Sequence, residues 1–166
     1  AALNVYTQNS FYSPLGLPTM GYKPLSRFEM NQIIPTEFDA KFRKQLVHGD
    51  VHDQGAAMMG GVGGHAGIFS NANDVAVMMQ LFLNKGEYGG KRYIDSLTLS
   101  ECTRCQFKDN RRAVGFDKPE MDHKKESPVC SCVSDESFGH TGFTGTMAWA
   151  DPKNKLVYVF LSNRVY

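Results

Sequence analysis

Three short apolar segments near the C-terminus restrict the fold most. "SFGHT" (137–141), "GTMAWAD" (145–151) and "KLVYVFLSN" (155–163) each have the length and composition of a strand, and "PKN" between the last two matches a hairpin turn. The chain therefore ends in closely connected strands, and the helices that pack on them must come from earlier residues. The expected class is α+β, one stretch over 1–166 with its helical part at about 1–136 and its strands at about 137–163.

The earlier sequence offers helices in short pieces. "LNVYTQNSFY" (3–12) suits a helix that stops at "SPLGLP", because Pro14 disfavours helix at Ser13 while Gly16 and Pro18 oppose a restart. From Gly21 to Val51 no 3.6-residue period is sustained, which predicts a surface-running segment with extended pieces at 32–36 and 45–48. A short Ala/Met helix and a glycine cluster follow. The clearest helix spans about 72–85: Ser70 or Asn71 can cap it, Val75, Met78, Met79, Phe82 and Leu83 recur at helical spacing, and Gly86 suits the position just past its end. The methionines read as packing rather than as a cofactor box. "YGGKRYI" predicts a tight turn and "DSLTLSECTRCQF" a helix capped by Asp95 or Ser96. Residues 106–136 are polar and turn-rich, with "RAVGFD" as a strand candidate.

Composition removes several function classes. A chain of 166 residues can bury roughly 70% of its unfolded surface without staples. Lys and Arg number 18 against 17 acidic residues, and a net charge of +1 gives no field for nucleic acid or acidic membranes. No run of 18 apolar residues is present to span a bilayer, and "AALNVYTQNS" lacks the regions of an export signal. The start in mid-pattern reads as a piece of something longer, with any export signal outside it. Cys102, Cys105, Cys130 and Cys132 leave disulfides, free thiols and a zinc site all open, and spacing does not give their connectivity.

The candidate chemistry lies mainly in one place. "GGVGGHAG" (60–67) follows no strand and lacks the order of a phosphate-binding loop, so close backbone approach or positive backbone angles explain its glycines better. His48 and His52 stand four apart, but Gly49 makes a shared helix face doubtful and hydrogen-bonded or exposed histidines are the safer reading. His65 is ambiguous, and His123 in "MDHKKE" reads as solvated. His140 differs, because a strand bearing His-Thr-Gly sets an imidazole and a hydroxyl beside glycines that keep the neighbourhood open to a ligand.

The order of segments resembles the penicillin-recognising serine hydrolases: class C β-lactamases, D-alanyl-D-alanine peptidases and related esterases. "HTGFTG" followed by "WADPKNKLVYVFLSNR" is similar to their third motif, K-T-G or H-T-G, on a strand lining the site. "FYSPLGLPTMGYKP" resembles their F-x-P-L-G-M-x-x-T segment, and "VHDQGAAMMGGVGGHAGIFSNANDVAVMMQLFLN" their glycine-rich turn and following helix. The likeness runs from about residue 3 to 165, and is close to the variant fused behind a family 3 β-N-acetylglucosaminidase-type domain in Bacteroidetes-like proteins.

The resemblance implies that His140 lies near the substrate carboxylate or the proton relay, Thr141 exchanges a hydrogen bond with substrate, and Gly142 leaves room for it. The backbone N–H of Phe143 would be one oxyanion-hole donor, so His140 and Phe143 are the catalytic candidates and His140, Thr141 and Gly142 the substrate-binding ones. A histidine in the lysine position makes the positive charge there depend on pH. No cofactor and no metal are implied. The family nucleophile stands in S-x-x-K and its helper in Y-x-N or S-x-N; these 166 residues contain none of the three. The reading is therefore the C-terminal part of a hydrolase of amide or ester bonds, cell-wall related and exported to the bacterial periplasm or envelope, inactive by itself. Its parent would take a small-molecule or peptidoglycan-like substrate, and an exposed strand edge would let the piece self-associate. The rival readings are a non-catalytic peptide- or glycan-binding module and a small metal-binding domain organised by the cysteines.

Overall fold

Antiparallel pairing forms every sheet of the computed structural model, which describes residues 1–122 and 124–166. His123 lies outside the described residues. β1 (Pro35–Asp39) pairs with β2 (Gln45–His48) and β3 (Glu87–Tyr88) with β4 (Lys91–Arg92). A three-stranded sheet has the order β5 (Phe138–Thr141), β6 (Met147–Asp151), β7 (Leu156–Phe160). Four α-helices accompany them among the described residues: α1 (Leu3–Thr7), α2 (Gln54–Met58), α3 (Ala72–Leu83) and α4 (Ser96–Thr103). The class is α+β. Two compact units result, Ala1–Asp74 with Ser162–Tyr166, and Val75–Leu161.

In the first unit α1 widens into a π-type turn over Gln8–Tyr12, and the chain turns out of it where the prolines and glycine require. Ser13 nevertheless keeps helical angles before Pro14, and Gly16 takes the left-handed φ of +70° that a side chain resists. Tyr12, Leu17, Met20, Tyr22, Pro24, Val47, Val51 and Ala56 are among the buried apolar residues here. The extended piece expected at 32–36 begins later, at Pro35, because Glu29 and Gln32 cap a tight turn over Met30–Gln32. The β1–β2 turn is organised by the Asp39 carboxylate, which accepts from the backbone N–H groups of Lys41, Phe42 and Arg43 at 3.1, 2.9 and 3.0 Å. These bonds, that of Phe42 foremost, hold the Asp39 carboxyl far below the usual carboxylate range. Buried Asp74 accepts from the N–H and hydroxyl of Thr19, at 2.8 and 2.7 Å, and so ties the "PLGLPT" segment to the first turn of α3. In the glycine cluster Gly67 has φ +121°, and a Cβ there would stand 2.6 Å from the Gly61 carbonyl. The cluster is thus a backbone crossing rather than a phosphate cradle.

The second unit is built on α3 and the C-terminal sheet. Val75, Met79, Phe82 and Leu83 of α3 pack with Phe116, Phe138, Ala148, Ala150 and Val157. Phe116 meets Phe82 and Phe138 edge-on, with ring centroids 5.5 and 5.1 Å apart. Asn71 caps α3 by accepting from the Asp74 N–H at 2.9 Å. Gly86, at φ +88°, closes it by donating to the Leu81 carbonyl at 2.8 Å. α4 is capped by Asp95, which accepts from the N–H groups of Leu97 and Thr98, each at 2.9 Å. "RAVGFD" forms no strand; its Asp117 makes a lone antiparallel bridge with Gly139 of β5.

Candidate active site

β5 is buried at Phe138 and Gly139 and exposed at His140 and Thr141. Packing fixes that transition. A Cβ at Gly139 would run into the Ala148 carbonyl and stand 2.6 Å from Trp149 Cδ2, so the indole lies directly on the glycine backbone. Trp149 is itself buried and donates from Nε1 to buried Ser137 Oγ at 3.0 Å. Across the sheet His140 pairs with Ala148 and Thr141 with Met147. The chain then turns: Gly142 N–H donates to the Thr146 carbonyl at 2.7 Å, and Gly145, at φ +102°, donates to the Gly142 carbonyl at 3.1 Å. Phe143 follows Gly142 in this turn with an exposed side chain. The room left by the missing side chain of Gly142 is taken by the Thr146 hydroxyl. His140, Thr141, Gly142 and Phe143 are therefore contiguous at the exposed end of β5.

The setting of His140 adds residues that the motif alone does not reveal. Its Nδ1 lies 2.7 Å from the Thr141 carbonyl and its Nε2 lies 3.3 Å from Arg112 Nη1. A carbonyl can only accept and a guanidinium only donate, so this arrangement suits the imidazole with its hydrogen on Nδ1 and its lone pair on Nε2. The same Arg112 Nη1 lies 3.3 Å from Asp117 Oδ2, and Arg111 reaches Asp117 through Nε at 2.8 Å and Nη2 at 3.2 Å. The Asp117 carboxylate is buried, with side-chain exposure of 4%. Its backbone is locked to β5 in both directions, Asp117 N–H to the Gly139 carbonyl at 2.7 Å and Gly139 N–H to the Asp117 carbonyl at 3.0 Å. That bridge sets Arg112 beside His140. Next along the chain, buried Lys118 donates from Nζ to the carbonyls of Thr103 and Glu136 at 3.2 and 3.1 Å, and burial lowers its pKa. Arg112 escapes a reading of the sequence because it stands 28 residues from His140, and Asp117 because its partner on β5, Gly139, is likewise distant in the sequence; the Arg111-Arg112 doublet is the one local cue.

The other described histidines are engaged elsewhere, and the cysteines differ in state. His48 Nε2 lies 2.6 Å from the Ile33 carbonyl, His52 Nε2 3.1 Å from Glu37, and His65 Nε2 2.9 Å from Asp53, the cap of α2. Cys130 and Cys132 are joined as a disulfide, while Cys102 and Cys105 are free thiols. Among the described residues no three His, Cys, Asp or Glu side chains are grouped to hold a metal ion, and no helix is long and apolar enough to cross a membrane.

An antiparallel sheet packed on α3, with His-Thr-Gly at the exposed end of one strand, is the arrangement expected of the penicillin-recognising serine hydrolases. Residues 6–166 match the model of the family described as Beta-lactamase, and the chain belongs to that family. It is 36% identical to a protein of Salmonella agona (strain SL483) named "Putative D-alanyl-D-alanine carboxypeptidase", over 98% of this chain and 40% of the relative, and a Salmonella typhi protein of the same name matches to the same extent. The chain thus spans about 40% of the length of these relatives. Solved structures share the fold. A β-lactamase from Mycobacterium bovis aligns with a TM-score of 0.62 and 20% identity over 98% of this chain and 49% of its own. A penicillin-binding protein homologue from Caulobacter crescentus aligns with a TM-score of 0.60 and 18% identity over 96% and 46%. The chain is a member of a serine-hydrolase family, β-lactamase-like and penicillin-binding-protein-like.

Proposed function

We propose that residues 1–166 form one partial β-lactamase-like domain, the C-terminal part of a serine hydrolase that cleaves or transfers amide or ester bonds of a cell-wall-related substrate. The observation that carries this reading is the exposed His140-Thr141-Gly142 at the end of β5, in a chain of this family. In such a site the nucleophilic serine attacks the scissile carbonyl, and backbone N–H groups receive the negative charge that develops on its oxygen. Phe143 N–H supplies one of these donors. Thr141 hydrogen-bonds the substrate, and His140 stands on the substrate side of the proton relay. The name of the Salmonella relatives favours a substrate ending in D-alanine, and with it export to the periplasm or cell envelope.

No S-x-x-K occurs in these residues, so they form no acyl-enzyme by themselves. Incubation of the 166-residue chain with benzylpenicillin, followed by intact mass spectrometry, should show the unmodified mass. A covalent adduct would end the claim that the nucleophile lies outside these residues. The exposed edge strand β7 further favours association between copies of the chain.

A further inference from the structure

We propose that His65, Met58 and Met59 form a binding site for a soft monovalent metal ion, Cu(I) or its redox-inert counterpart Ag(I), made wholly of residues of the first unit. The imidazole is prepared as a ligand. His65 Nε2 lies 2.9 Å from Asp53 Oδ1, and a ring that donates its Nε2 hydrogen to that carboxylate keeps a lone pair on Nδ1. Nδ1 has no hydrogen-bond partner among the described residues, and the side chain is 57% exposed. A carboxylate behind a histidine in this way fixes the ring and its tautomer for a metal on the other nitrogen. Asp53 is itself fixed, because the same Oδ1 caps α2 by accepting from the Ala56 N–H at 2.7 Å. That N–H, and after it His65, hold the Asp53 carboxyl below its ordinary pKa and so ionised.

Sulfur comes from the helix on which His65 lies. A Cβ on Gly55 would stand 3.9 Å from His65 Nε2 and one on Gly63 3.2 Å from His65 Cε1, so the ring rests over the first turn of α2, where Gly55 has no side chain. Met58 and Met59 follow Gly55 by three and four positions, the spacing that shares one helix face. Side chains on a helix lean towards its N-terminus, which here carries both thioethers towards His65. The two methionines are 73% and 57% exposed, so core packing does not account for them as it does for buried Met20 and Met79. One imidazole and two thioethers are a soft set of three donors, suited to Cu(I) or Ag(I) rather than to Mg²⁺ or Ca²⁺.

The test uses the 166-residue chain with Cys102→Ser and Cys105→Ser, which removes the two free thiols as competing soft ligands, and with ¹³C-methyl-labelled methionine. Silver nitrate in chloride-free buffer is expected, by one molar equivalent, to shift the methyl resonances of Met58 and Met59 and the ring resonances of His65. Met30 and Met121, methionines that are also exposed, should stay in place. Replacing both sulfurs, Met58→Leu with Met59→Leu, should abolish the His65 shift at that concentration. Asp53→Asn still offers an oxygen to cap α2 but loses the charge behind His65, and should weaken silver binding about tenfold. The comparison among the four exposed methionines is made within one sample and is decisive even if a variant misfolds. Equal shifts at all four, shifts confined to His65, or no shift at one equivalent overturn the site. Silver affinity that is undiminished in either variant overturns it as well.

Discussion

The buried carboxylate of Asp151 is satisfied by four donors, and it makes stability depend on acidity in a direction that can be worked out. Asp151, at the end of β6, accepts from Ser134 N–H and Oγ at 2.8 and 2.6 Å and from Asn154 N–H and Nδ2 at 3.2 and 2.8 Å. Burial alone would raise its pKa, but the donors of Ser134 and Asn154 outweigh it and bring the group from 3.8 to about 2. A carboxyl depressed in the folded state binds its proton more readily when unfolded. Its stabilising contribution is thus complete above about pH 4 and disappears as pH falls towards 2. The size is about 2 kcal/mol. Urea unfolding at pH 6 and pH 2.5 should show a steeper acid loss in the unaltered chain than in Asp151→Asn, by roughly that amount. Parallel pH profiles would show that the Asp151 hydrogen bonds contribute nothing net.

At the scale of elements, β5 and β6 are joined by one close approach, Trp149 over Gly139. A methyl group at residue 139 would meet both a backbone carbonyl and a buried ring, neither of which can move without breaking the β5–β6 register. Gly139→Ala should cost about 3 kcal/mol, the upper range for overpacking, read from urea unfolding with Trp149, the single tryptophan, as the fluorophore. Gly142→Ala should cost less, because the atom it meets first is a Thr146 hydroxyl that can rotate away. Elements with a local cause were legible in the sequence. The 3.6-residue stripe of α3, the Asp95 cap of α4 and the "PKN" turn all depend on residues within one or two turns of one another. The exceptions share a physical reason. Leu81 is fully buried although it lies off the α3 stripe, and "RAVGFD" contributes one bridge because β5 accepts it only at Asp117. The motif His140-Thr141-Gly142 was legible for the same local reason as α3, whereas the approach of Arg112 to His140 is tertiary and left no periodic trace.

For the whole molecule the open question is what covers the C-terminal sheet. β7 is an edge strand, and Leu156, Tyr158 and Phe160, alternate residues on one of its faces, are each about half exposed. Alternation places these side chains together on the pleated surface, and the outer backbone of β7 offers a second strand its hydrogen-bonding groups. Lys155 stands just before this strand, but no charge interrupts Leu156–Phe160. Sheets that avoid association carry such a charge in mid-strand. In size-exclusion chromatography with light scattering the chain should therefore rise above the monomer mass as concentration increases. Tyr158→Lys puts an ammonium at the centre of the apolar face and should return it to the monomer without altering the far-ultraviolet circular dichroism. A monomer at every concentration for the unaltered chain would mean that the edge is too twisted or too short to pair, and the self-association proposal would be withdrawn. Dimers that persist in Tyr158→Lys would move the contact away from β7.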